Sequence, residues 1–167
     1  MTDEQFALLY HRHVDMVYRV CFMMLKHPAD AEDAVQTVFI KLMRSGTTFT
    51  DHEHEKAWLI RTARNHCLNL LSNWWRRKRV GMDGLFEPAA PHGDDMRDLW
   101  KLVLDLPANY KTVVYLFYYE GYSAREISRM LNMKEATVRS QLHTARKLLK
   151  LEMEGSPDAV RRTESGH

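Results

Sequence analysis

Glycine and proline are scarce in this 167-residue chain, with seven and five copies. So few backbone breakers argue against a turn-rich β architecture and for long uninterrupted elements. Cysteine is scarcer: Cys21 and Cys67 lie far apart, each on an apolar face, which argues against a disulfide framework or a cysteine-rich zinc site and suits a reducing compartment. No apolar run reaches the roughly 18 residues of a membrane span. The acidic, polar start MTDEQF is unlike a secretory leader, so a cytoplasmic protein is expected. Phosphate-cradling glycine loops, nucleophile elbows and paired catalytic carboxylates are all missing, and no catalysis is expected of this chain. Nine histidines invite a metal reading, but His11 and His13 fall on different helix faces. His52 and His54, in an acidic loop with Asp51, Glu53 and Glu55, suit at most a weak ion, so neither metal nor cofactor is expected.

What the chain does have is 45% hydrophobic and 28% charged residues, the balance of a foldable globular protein. Its net charge of +2 hides a pattern. Residues 1–75 sum to −1, the run Arg76-Arg77-Lys78-Arg79 to +4, residues 80–105 to −4, residues 106–151 to +5 and residues 152–167 to −2. Two basic zones, each at the end of a helical pattern, flank an acidic middle. Such zones match a phosphate backbone, although an unevenly charged solvated surface gives the same sums.

Apolar spacing of three and four predicts an all-α chain of two small helical domains. Phe6, Leu9, Tyr10, His13, Val17, Val20, Cys21 and Met24 predict a helix over about 3–26. Pro28 and Asp30 open a second, with the stripe Ala31, Ala34, Val35, Val38, Phe39 and Leu42, which runs out at Ser45-Gly46. A polar loop, Thr47 to Glu55, precedes a third from about Lys56 to Arg79. Residues 80–93 hold three glycines and two prolines without helical period and read as a linker. Helices are then expected over 98–104 and 108–120, the latter ended by Gly121. The expected bounds are a first domain at 1–79, a linker at 80–94, a second domain at 95–152 and a tail at 153–167.

The second domain carries a helix-turn-helix pattern. Ser123 and Glu126 form a Ser-x-x-Glu capping box, the helix stops at Asn132-Met133, and another runs from about Lys134 to Leu151. Its inward stripe is Val138, Leu142, Ala145, Leu148 and Leu149; Thr137, Arg139, Ser140, His143, Arg146, Lys147 and Lys150 face out. A basic, hydroxyl-bearing second helix is the form of a major-groove reader. Arg139 is the candidate for a guanine edge, Lys147 and Lys150 for phosphates. An amphipathic hairpin with a basic surface is the plainer reading.

In the first domain, Ile60, Ala63, Cys67, Leu71 and Trp74 share one helix face. Arg61, Asn65, Asn69, Ser72 and Arg76 share the opposite one, with Asn73 beside them. Amides and guanidinium groups bond bases and phosphates, and an aromatic at the edge stacks on an unpaired base. Trp74 reads as core; Trp75 reads equally as core or as a stacking platform.

These residues resemble the bacterial sigma-70 family of RNA polymerase initiation factors, in its short extracytoplasmic-function group, over about residues 5–150. DAEDAVQTVFIKL (Asp30 to Leu42) is similar to the region-two helix that docks on the clamp helices of the large polymerase subunit. KAWLIRTARNHCLNLL (Lys56 to Leu71) resembles the helix that engages the minus-ten element as single strand. Leu106 to Leu149 resembles region four, which reads the minus-thirty-five element as duplex, and region three is replaced by the linker. The resemblance implies a region-two three-helix bundle and a region-four helix-turn-helix. It implies that Asp30, Glu32, Asp33, Gln36 and Phe39 face polymerase. Thr48, Phe49, Asp51 and His52 would pocket a flipped base. Arg61, Asn65, Asn69, Ser72, Asn73, Trp75, Arg76 and Arg77 would line the minus-ten strand. Arg125, Lys134, Thr137, Arg139, Ser140, His143, Arg146 and Lys147 would meet the minus-thirty-five duplex. The implied partners are core RNA polymerase (clamp helices and flap), promoter DNA and an anti-sigma protein; the implied place is the cytoplasm, on the nucleoid when in holoenzyme. The chain departs from the family where an Asp and an Arg pair are usual, with Asn69, then Ser72 and Asn73. Thr144 stands where a basic residue is frequent. A stand-alone helix-turn-helix regulator with a sensor or dimerisation domain, or a helical scaffold that binds only protein, are the rival readings. The regulator reading gives the acidic first turn at Asp30–Asp33 no task, and the scaffold reading predicts no salt-sensitive nucleic-acid binding.

Overall fold

The computed structural model describes residues 1–76 and 94–153, with side chains left undescribed at 75, 76, 94–99 and 151–153. All regular structure among the described residues is helical: α1 (Asp3–Leu25), α2 (Pro28–Ser45), α3 (His52–Arg76), α4 (Asp94–Asp105), α5 (Ala108–Val114) with a π-helical turn (Tyr115–Tyr119), α6 (Ala124–Leu131) and α7 (Glu135–Met153). The chain divides into two compact units, Met1–Ala89 and Ala90–His167. The expected linker at 80–93, the basic residues Arg77 to Arg79 and the tail from 154 lie outside the described residues. Among the described residues, no helix is long and apolar enough to cross a membrane.

In the first unit, α1 packs against α2 and α3, and α2 against α3. Thr2 and Gln5 cap α1 reciprocally, a Thr-x-x-Gln box, and Lys26 closes it in the left-handed conformation (φ 58°). His27 caps α2, with Pro28 in its first turn, and Gly46 closes α2 at φ +65°. The whole stripe expected for α2, Ala31 to Leu42, is buried. Both cysteines are free and fully buried. A contact with Cys67 and burial push the Cys21 thiol far up, which keeps it an inert packing group.

In the second unit, α7 packs on α4, α5 and α6 around Trp100, Val113, Val114, Leu116, Ile127, Val138 and Ala145, all fully buried. Helix α5 does not continue as a regular helix to residue 120. Its last turn widens, with Glu120 N–H bonding to the Tyr115 carbonyl (3.2 Å) and Tyr122 N–H to that of Leu116 (3.0 Å), before Gly121 reverses the chain at φ +76°. The Ser123–Glu126 box forms as expected, and Asn132 ends α6 at φ 54°.

Two helix boundaries differ from expectation. Helix α3 starts at His52 rather than Lys56, because the Asp51 carboxylate accepts from His54 N–H (2.8 Å) and caps a turn that reads as a polar loop. Helix α4 starts at Asp94 rather than Asp98; aspartates are favoured at a helix start by the dipole. The expected end of α3, at Arg79, lies outside the described residues.

Candidate nucleic-acid interface

Asp30, the first acid of α2, receives the His27 cap: its N–H donates to His27 Nδ1 at 3.4 Å, and its carboxylate lies 3.5 Å from the same ring. Glu32, Asp33 and Gln36 are exposed. Phe39 is not: it is 4% exposed and packs edge-on to Tyr10 (4.8 Å) and Phe6 (6.2 Å) of α1. That corrects its placement on a partner-facing surface; its spacing puts it in the buried stripe, and it supports the face from behind. Ile40 (44% exposed) and Met43 (66%) instead extend the exposed row Asp33, Gln36, as apolar side chains left in water. Sequence reasoning missed them, although both fall outside the buried stripe and are apolar, which was signal enough.

The loop before α3 is tied down at several points. Thr47 N–H donates to Ser45 Oγ (3.1 Å), and Thr50 N–H to His54 Nδ1 (3.3 Å). The Phe49 ring sits edge-on to His54 (5.1 Å) and Trp58 (6.2 Å). Thr48 and Phe49 line a cleft of about 320 Å³ with Leu8, Leu9, Arg12 and Glu55. That volume lies in the range of small-molecule sites, roughly 300–1,000 Å³. Asp51 and His52 do not line it: Asp51 is engaged as the helix cap, and His52 is exposed on the first turn of α3.

The far wall of the cleft is an ion cluster that the sequence reading did not find. Glu55 Oε2 accepts from Arg12 Nη1 (2.7 Å) and lies 2.9 Å from Nε2 of His13, a buried residue of α1. One carboxylate oxygen thus joins α1 to the first turn of α3. The residues are 42 and 43 apart, so no local pattern announces the contact.

Along α3, Asn65, Asn69, Ser72 and Asn73 are exposed together and Arg61 is half-buried. Trp75 and Arg76 lie on the helix with side chains outside the described set, and Arg77 lies outside it altogether. Arg64 is half-buried beside them, its Nε shut from water without a hydrogen-bond partner, and burial lowers its pKa. Burial and nearby Lys41 lower that of His66, which keeps the ring neutral at pH 7.

In the second unit, Arg125, Lys134, Thr137, Arg139, Ser140, His143 and Lys147 are exposed on α6, the turn and α7. Arg139 is paired along its own helix: Nη2 and Nε both reach Glu135 Oε1, at 2.7 and 3.2 Å. Arg146 is half-buried rather than free; its Nε donates to Tyr118 Oη (2.9 Å), and its guanidinium carbon lies 5.3 Å from the centre of the Phe117 ring. Among the described residues, no group of three or more His, Cys, Asp or Glu is placed to hold a metal ion.

Comparison with known proteins adds two domain matches. Residues 9–79 match the model of Sigma-70 region 2, and residues 96–149 that of Sigma-70, region 4. The chain is 27% identical to the ECF RNA polymerase sigma factor SigX of Bacillus subtilis, over 91% of this chain and 85% of that protein. It is 32% identical to SigE of Mycolicibacterium smegmatis, over 89% of this chain but 63% of that longer protein. Among solved structures, the sigma factor RpoE in complex with the anti-sigma factor NepR, from Bartonella quintana, shares the fold with a TM-score of 0.71. That match covers 90% of this chain and 99% of that one, at 19% identity.

Proposed function

The chain belongs to the sigma-70 family, in its extracytoplasmic-function group, as a non-enzymatic transcription initiation factor that directs RNA polymerase to promoters, and from that premise we propose which surfaces do each part of the work. The first domain, 1–79, binds core polymerase through the exposed row of α2: Asp30, Glu32, Asp33 and Gln36, extended by Ile40 and Met43. The clamp helices of the large subunit are the partner for this mixed acidic and apolar strip. The second domain, 95–152, places the enzyme by reading the minus-thirty-five duplex with α7 and meets the flap. The linker, 80–94, spans between them.

The observation that carries the division is the contrast between a cleft and a ridge. The cleft behind Thr48 and Phe49 is concave and lined by both polar and apolar groups, with the amide-rich row of α3 belonging to the same unit. It suits an unstacked base from a melted strand, which must be enclosed to be read. Helix α7 offers a convex row of cations and hydroxyls, which suits a groove. Because the first domain grips only the separated strand, its binding shifts the closed–open equilibrium toward the open complex. A neighbour in fold forms a complex with an anti-sigma factor; an anti-sigma protein covering the row of α2 and the face of α7 would hold this chain inactive. Its place of action is the cytoplasm, on the nucleoid.

The test is run-off transcription by bacterial core polymerase, with and without the full chain, on fragmented DNA of the source genome. Discrete new transcripts are expected, and their start sites give both promoter elements. A stable chain that neither binds core nor yields transcripts would refute the assignment of surfaces and favour a stand-alone duplex binder.

A further inference from the structure

We propose that the π-helical turn Tyr115–Tyr119 positions the DNA-facing side of α7, with Tyr118 and Phe117 holding Arg146 so that its two terminal amino groups are presented to the duplex. The inference rests on the reading of α7 as the minus-thirty-five element's partner and adds to it two residues that touch no DNA.

Arg146 lies seven residues after Arg139, two turns and about 10.5 Å along the helix. The two share one side of α7 with His143. They are held in opposite ways. Arg139 spends two nitrogens on Glu135, a partly exposed partner on its own helix. Arg146 spends only Nε, on a hydroxyl 28 residues away in sequence, and lays its guanidinium over a ring. Neither Nη is used by that anchor. A guanidinium fixed at Nε and packed on an aromatic face keeps a planar fork for phosphate oxygens, and it has already lost the rotamer freedom that binding would otherwise cost.

The widened turn makes the anchor possible. Successive residues of an α-helix point about 100° apart, yet here the neighbours Phe117 and Tyr118 both reach one guanidinium, their rings edge-to-face at 5.0 Å. The turn is itself fixed: Tyr115 Oη donates to Glu120 (2.8 Å), Tyr119 stacks on Tyr115 (5.7 Å), and Trp100 packs edge-on to Tyr119 (6.1 Å). Such turns recur at functional sites because they re-aim side chains.

The test uses holoenzyme reconstituted from core polymerase and the full chain, on a promoter fragment recovered by run-off transcription, with closed-complex affinity measured across salt concentrations. Arg146→Ala is expected to weaken binding and to lower the salt slope by about one. Tyr118→Phe, which keeps the ring, is expected to weaken binding about three- to tenfold, and to have no further effect in the Arg146→Ala background. Arg146→Lys, which keeps the charge without the Nε–H, should fail to restore affinity. The proposal is overturned if Tyr118→Phe leaves affinity unchanged, or weakens binding equally with and without Arg146. It is overturned, with the reading of α7 intact, if Arg139→Ala weakens binding while Arg146→Ala does not. If neither arginine matters, or no promoter is recovered, the reading of α7 fails and this inference with it.

Discussion

The two faces proposed to meet nucleic acid are built on opposite principles. In the first unit the side chains around the start of α3 are committed before any ligand arrives: Asp51 caps α3, His54 takes the Thr50 N–H, and Glu55 is shared by Arg12 and His13. In the second unit most of the cations of α7 stand in water, and Arg139 is 66% exposed in a pair with Glu135 that contributes at most a few tenths of a kcal/mol. The difference fits the target proposed for each. An unstacked base presents shape and edges, which a fixed cavity selects. A duplex presents a lattice of phosphates, which mobile cations find from a distance.

This contrast can be broken most severely at Phe39. Truncation to Ala removes a ring from the α1–α2 seam and is expected to cost about 3–5 kcal/mol. In thermal melts of the full chain, the first unit should lose its transition while that of the second persists, and core binding should fail because the fold does. A variant that melts normally yet loses core binding would put Phe39 back on the partner surface.

Glu55→Ala is next. It leaves a buried imidazole and a guanidinium without their shared carboxylate, at a cost of about 2 kcal/mol. Core binding should survive while open-complex formation, followed by 2-aminopurine fluorescence in the minus-ten element, falls sharply. Equal loss of both would show that the cluster is a general strut instead of a wall of the cleft.

A crossed pair of variants sharpens the comparison. Asn65→Ala with Asn69→Ala should slow opening by about tenfold and leave closed-complex affinity alone. Arg139→Ala should cost closed-complex affinity by about 1–3 kcal/mol, with a shallower salt dependence. Footprints of the closed complex and permanganate reactivity of the open one separate the two, and swapped phenotypes would invert the division of labour.

The smallest effect concerns the cap of α6. Hydrogen bonds with Ser123 lower the pKa of Glu126 below its ordinary 4.5. A carboxyl with a depressed pKa stabilises the fold above its unfolded-state pKa, and that contribution is lost as pH falls through the folded value. Glu126→Gln should therefore lower the melting temperature of the second unit slightly at pH 7, and the gap to the unaltered chain should close as pH falls through the depressed folded-state value. A gap that persists in acid would mean that the amide disrupts the box for a steric reason.

How much of this was legible in the sequence follows the range of the interactions. The stripe of α2, the Ser123–Glu126 box and the inward row of α7 are written in residues three and four apart, and a single strand of text shows them. Helix α3 was read four residues late because Asp51 lies among five alternating His, Glu and Asp positions that look like a solvated loop. Phe39 carried two incompatible readings, in a buried stripe and on a partner surface, and only packing against Phe6 and Tyr10 decides between them. The ion cluster of Arg12, His13 and Glu55 beside the cleft, and the hold of Tyr118 on Arg146, join residues 28 to 43 apart. Nothing at those spacings is periodic. The π-helical turn was invisible for a related reason: its five residues, YLFYY, suit a regular helix locally, and the slip is settled by Gly121 and the rings around it.

The second half of α1 is buried without interruption from Val20 through Leu25, so it turns no side of itself to water there. Such a segment cannot open alone, and its amides should be among the last in the chain to exchange with deuterium. An inhibitor or a DNA strand that reshapes the first unit must therefore work at the periphery, around the loop and the start of α3. The unit is in effect an axle with a movable rim, and its control points can be mapped by where exchange speeds up while the axle stays silent.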